Sequence, residues 1–253
     1  MPRHDRIAIL LSLAGVTALA WVYLFRTAGG MTDTDPMNMV RMHAWGSTDF
    51  LLVLLMWAIM MVGMMVPTAA PMTMVYAAVA RKATKEGSTI APTATFVAGY
   101  IAMWTLFSVA ATVAQWGLDR AALLSPMMVT TSPKVGASLL IAAGVYQLTP
   151  AKTACLRHCR SPAYFISEHW RPGITGAFRM GSEHGAFCLG CCWLLMALLF
   201  VGGVMNLLWI AAIAFFVLFE KVIPHAPVVG QVAGGAMILT GLVLLATWTR
   251  AGG

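Results

Sequence analysis

Long apolar runs with almost no charge in them decide what this chain can become. A helix needs roughly 20 residues to cross a hydrocarbon core of about 30 Å. By that measure seven stretches are expected as spans: Ile7–Phe25, Phe50–Ala80, Thr93–Trp116, Gly136–Leu148, Ala186–Met205, Leu207–Val222 and Val228–Trp248. Of all residues 60% are hydrophobic and only 10% charged, with mean hydropathy +0.80, more apolar surface than a water-soluble domain can hide. The expected fold class is therefore all-α, a polytopic transmembrane helix bundle of about seven spans, with residues 1–253 forming a single integral membrane domain. Pro67 and Pro71 interrupt the second stretch and are expected to kink it.

The first stretch has a signal-peptide look, with Arg3 and Arg6 ahead of it and Ala18, Leu19 and Ala20 resembling a cleavage site. Apolar sequence continues through Trp21–Phe25, so a retained helix is expected. Placing the N-terminus in the cytoplasm leaves Arg3, Arg6, Arg81, Lys82, Lys85, Lys152, Arg157, Arg160, Arg171, Arg179 and Lys221 inside. These are eleven of the sixteen Lys and Arg, the asymmetry that orients bacterial inner-membrane proteins. The net charge of +7 then belongs to topology and anionic lipid, and nothing points to nucleic acid. Two connections are long: Thr27–Asp49 outside, and residues 151–185 inside. The inner one is expected as a cytoplasmic surface or re-entrant loop, broken by Pro162, Pro172, Gly173 and Gly176 into short pieces along the membrane.

All five cysteines fall in two clusters, Cys155 with Cys159 and Cys188 with Cys191 and Cys192. On the cytoplasmic side thiols stay reduced, and an odd number argues against a full set of disulfides. Reduced cysteines with histidines between them suit a thiophilic metal. In "EHGAFCLGCCW" (Glu183–Trp193), a helix turning about 100° per residue puts His184, Cys188, Cys191 and Cys192 on one stripe roughly 100° wide. In "CLRHC" the four-residue spacing puts Cys155 and Cys159 on one face, with His158 beside the second. Two soft pairs meeting at one membrane face would make a site of three or four ligands. Free cysteine is also a small core hydrophobe, so packing alone is the plain alternative.

A second constellation is "MWAIMMVGMMVP" (Met56–Pro67), where Met56, Met60 and Met64 align at i, i+4, i+8 and Met61 and Met65 form a neighbouring stripe. Thioethers are neutral and soft and can pass Cu(I) through an apolar interior. They also make ordinary core filler. The outer segment Met31–His43 carries further methionines and a histidine that could collect metal. Glu220 and Lys221 at the inner end of the sixth stretch are either functional or an interfacial ion pair, and Gln147 can orient a ligand or simply pack.

Several of these motifs together resemble a known family. "YQLTPAKTACLRHCRSP", "GAFRMGSEHGAFCLGCCWLLMALLFVGGVMNLLWIA", "FEKVIP" and "MWAIMMVGMMVPTAAPM" are similar to domain-of-unknown-function family 2182, predicted metal-binding integral membrane proteins of which some carry a copper-chaperone label. The resemblance runs from about Asp49 to Pro224. It implies a metal site using Cys155, His158, Cys159, His184, Cys188, Cys191 and Cys192, and it supplies no reaction.

The leading expectation is copper handling, with Cu(I) on the thiols, Met60 and Met64 as weaker exchange positions, and delivery to another membrane copper protein or complex subunit. Zinc is the rival metal, since Cys and His suit it equally. A second class is a membrane metalloenzyme, an oxidoreductase acting on a lipophilic substrate at a Cys/His centre with an open coordination position. Glu220, Glu183 or His169 would then move protons. A third is a structural subunit whose thiols merely pack.

Overall fold

The computed structural model describes residues 2–32, 45–85, 92–125, 128–223 and 226–250. Most of the methionine-bearing segment Met31–His43 lies outside the described residues. Every named element is a helix: α1 (Arg3–Thr32), α2 (Ser47–Lys85), α3 (Thr93–Arg120), α4 (Pro133–Gln147), α5 (Pro150–Arg160), α6 (Pro162–His169), α7 (Gly173–Ala197), α8 (Leu199–Gly202), α9 (Leu207–Val222) and α10 (Ala226–Arg250). Local chemistry sets several starts. Ser132 Oγ accepts from Val135 N ahead of α4, Thr149 Oγ1 from Lys152 N ahead of α5, and Asn206 Oδ1 from Trp209 N ahead of α9. Pro133, Pro150 and Pro162 occupy first helical turns, where a missing N–H costs nothing.

Among the described residues five helical stretches are long and apolar enough to cross a membrane: Arg3–Gly29, Ser47–Ala83, Thr93–Arg120, Gly173–Gly202 and Val228–Arg250. The all-α expectation holds, and the count of seven is not confirmed. Helix α4 has 15 residues and α9 has 16. At 1.5 Å per residue these reach about 22 and 24 Å, short of a core of about 30 Å. Helix α2 runs unbroken for 39 residues with Pro67 and Pro71 inside it. Ala18, Leu19 and Ala20 lie inside the continuous α1, which packs along α2.

The stretch 151–185 is α5, α6 and the first half of α7. Pro162 and Pro172 with Gly173 do divide it, whereas Gly176 sits inside α7, where its missing side chain admits the Arg171 carbonyl.

Helices α3 and α7 form the most extensive contact at the centre. A β-carbon on Gly181 would strike the Phe96 carbonyl, and one on Gly99 the Phe178 carbonyl, so small residues let the two backbones touch. Helix α2 lies against α3, α4 against α10, and the short α5 against α7, while α9 reaches α2, α5 and α10. The core contains Met56, Met60, Met61, Met64 and Met65 of α2 together with Cys188, Cys191 and Cys192 of α7; Cys155 and Cys159 pack at its edge. Helices α1 and α10 turn Leu11, Leu19, Phe25, Val232 and Leu239 outward.

Candidate metal centre

Helix α5 is amphipathic: Lys152 and Leu156 face inward while Thr153, Ala154 and Arg157 are exposed. That face brings Cys155 and Cys159 onto the stripe of α7 that carries the other three thiols. A β-carbon on Gly190 would lie 2.8 Å from Cys155 Sγ, so the sulfur occupies the space that a side chain would fill. Cys159 packs against the same core as Cys188 and Cys191, close enough to interact with both thiols, and Cys188 interacts with Cys159, Cys191 and Cys192. The two sulfur-bearing segments, far apart in sequence, meet. Cys191 and Cys192 each donate to the Cys188 carbonyl at 3.0 Å, and all three α7 thiols are at most 2% exposed.

Interactions with Cys188 and Cys191, with burial adding to them, push the Cys159 thiol well above its ordinary range. Burial and the neighbouring Cys191 push Cys155 up as well. Both α5 thiols therefore carry their protons at neutral pH.

Polar groups from two other helices converge on Cys188, and α2 holds both of them. Tyr100 Oη of α3 lies 3.0 Å from its Sγ and donates to the Met65 carbonyl of α2 at 3.0 Å. Lys221 Nζ of α9 donates to Cys188 Sγ at 2.8 Å and to Thr68 Oγ1 at 3.0 Å. The next residue back, Glu220, faces the other way. It receives Lys152 Nζ on both carboxylate oxygens at 2.6 and 2.7 Å and Gln147 Nε2 at 3.2 Å, and Lys152 also donates to Gln147 Oε1. Lys152 and Glu220 are 3% and 2% exposed. The end of α9 thus grips α5 and α4 with one residue and α7 and α2 with the next. Tyr146 of α4 adds a hydrogen bond to the Gly190 carbonyl.

The histidines stand in an adjoining aromatic layer. His184 is buried among Phe96, Tyr100 and Phe165, with ring centres 6.2, 5.6 and 5.6 Å away, and its Nδ1 is buried without a hydrogen-bond partner. His158 stacks on Phe187 at 4.1 Å. Met60 and Met64 are buried in the same core as the α7 thiols. Among the described residues no group of three or more His, Cys, Asp or Glu is arranged to hold a metal ion; the thiols are engaged with one another, with Tyr100 and with Lys221.

Sequence reasoning placed Glu220, Lys221 and Gln147 near the site but not their partners. It missed Tyr100, Thr68 and Lys152. Tyr100 and Thr68 look like ordinary bundle residues, and Lys152 like one more cytoplasmic loop charge; only a polar side chain inside an apolar run marks Tyr100 and Thr68 beforehand.

A family model described as PpoB2, copper chaperone, matches residues 54–244, which include every residue of the sulfur cluster and its polar surround. No curated protein and no solved structure matches the chain. The match carries the copper-chaperone description that the sequence resemblance implied, under a different family name. Covering most of the sequence, it establishes that the chain belongs to the PpoB2 family of copper chaperones.

Proposed function

We propose that this protein is embedded in a cell membrane with its N-terminus in the cytoplasm, holds one Cu(I) on thiolates from α5 and α7, and delivers it to a partner membrane copper protein. The observation that carries the reading is the meeting of Cys155 and Cys159 with Cys188, Cys191 and Cys192. Thiolates select Cu(I) over harder ions, and Cu(I) accepts as few as two sulfurs, so a pair drawn from the two helices suffices. Lys221 sets a positive side chain against Cys188, and an arriving cation would take over its contact with the sulfur. Met60 and Met64 supply softer, weaker exchange positions behind the thiols. A chaperone must release its cargo, and ligands of graded strength allow that.

Elemental analysis of the protein purified after copper-replete growth tests this. About one copper per chain is expected, and loss of it in both Cys188→Ser and Cys159→Ser. Zinc in its place would overturn the choice of metal, and a metal-free protein would leave the thiols as packing groups.

A further inference from the structure

Two histidines outside the sulfur cluster are held in a way that packing does not require. His158 of α5 and His169 of α6 are both half-buried. The Nδ1 of His158 lies 3.0 Å from the Ala154 carbonyl, and that of His169 lies 3.1 Å from the Phe165 carbonyl. A carbonyl only accepts, so each Nδ1 donates, and that bond leaves each ring's Nε2 uncommitted. This is the arrangement in which metal-binding imidazoles are held, with the far nitrogen anchored to a carbonyl. Stacking fixes the ring planes as well: His158 lies on Phe187 at 4.1 Å and 2°, and His169 on Phe165 at 4.6 Å and 9°.

The two imidazoles are 6.4 Å apart between ring centres, at 82° to one another. Two imidazoles sharing one ion at a metal–nitrogen distance of about 2.0–2.1 Å keep their centres about 5 to 6.5 Å apart, the upper end being near-linear coordination. The observed spacing therefore suits a two-coordinate monovalent ion. The pair also has a place to pass it. His158 precedes Cys159, which packs against the core that holds Cys188, while the α7 thiols are sealed from solvent.

We infer that His158 and His169 form a second Cu(I) site, a two-imidazole exchange position at the bundle surface through which the ion reaches and leaves the buried thiols. The role as a loading position rests on the copper-handling reading above; the site itself does not. Imidazole is the harder of the two ligand types, so the ion is held weakly here and moves on.

The test uses the full chain in detergent micelles without oxygen, titrated with Cu(I) supplied as its bicinchoninate complex. With all five cysteines changed to serine, one weakly bound Cu(I) is expected, with only nitrogen neighbours by X-ray absorption, and it is lost in His158→Asn/His169→Asn. Asparagine can still donate to the carbonyl four residues back, so the helices keep their anchor and lose only the second ring nitrogen. With the cysteines present, the same double change should leave the affinity of the thiol site within about twofold and slow its loading at least tenfold. A cysteine-free chain with no histidine-dependent copper overturns the inference. So does a thiol-site affinity that falls with the histidines, which makes them ligands of a single centre. Histidine-dependent copper in a wild-type chain whose copper ignores Cys188→Ser upholds the inference while the thiol reading fails.

Discussion

Lys221 is the residue on which the sulfur cluster turns. Its charge is buried, and its contacts are Cys188 Sγ and Thr68 Oγ1, an environment that must supply the partners water would otherwise give. Replacing it with methionine removes the cation that competes for Cys188, so Lys221→Met should bind Cu(I) more tightly and release it to a chelator more slowly, by about tenfold if one such contact of about 1.4 kcal/mol is lost. Competition titration and stopped-flow transfer check both. The protons on Cys155 and Cys159 make a second prediction. Both thiols sit above their ordinary range, so each remains protonated at pH 7 and must lose its proton to bind metal. Affinity should therefore fall as pH falls, by about tenfold per pH unit for each proton released, and calorimetry in buffers of different ionisation enthalpy should count the protons. At this scale much was legible. Cysteines and histidines announce themselves by type, and helical spacing puts Cys188, Cys191 and Cys192 on one face. The partners Tyr100, Thr68 and Lys152 were not legible, because hydrogen bonds between residues 33 to 153 positions apart leave no local pattern.

Among the elements, α9 acts as a bracket although it is short. Glu220 fastens α5 and α4, Lys221 fastens α7 and α2, and the two residues are neighbours in sequence. Removing one partner of a buried ion pair strands the other charge, at a cost of about 3–5 kcal/mol. Glu220→Ala should destabilise the protein by that amount in reversible unfolding in detergent, whereas Lys152→Met with Glu220→Leu together should recover most of it. Copper affinity should drop in Glu220→Ala even under conditions where the chain remains folded, because α5 loses its anchor beside the thiols. The fit of α5 on α7 makes a sharper point. Gly190→Ala puts a carbon where Cys155 Sγ now rests, so this one methyl group should weaken Cu(I) binding without altering helix content by circular dichroism. The breaks in the 151–185 stretch were legible at Pro162, Pro172 and Gly173; the helix starts set by Ser132, Thr149 and Asn206 were not. The span count was not, because α4 and α9 read as apolar runs whose length falls short only once their ends are set by Ser132, Gln147, Asn206 and Val222.

For the whole molecule, a metal held as proposed between α5 and α7 would join segments separated by α6 and by the turn at Pro172 and Gly173. Such a cross-link stabilises the native state by binding it and not the unfolded chain, by about 2.7 kcal/mol when free Cu(I) is a hundred times its dissociation constant. The thermal midpoint should therefore rise on adding Cu(I), and the rise should vanish in Cys188→Ser. What the sequence by itself determined is the helical class and the chemistry of its side chains: apolar runs with almost no charge favour helices that satisfy their own backbone, and the cysteines are clustered, soft and set at helical spacing. Only the tertiary structure decided which side chains meet. The contact between "CLRHC" and "EHGAFCLGCCW" depends on a missing side chain at Gly190, on the fit of α5 against α7, and on the opposed grips of Glu220 and Lys221. These are products of packing between distant segments, and periodicity along one chain carries no record of them.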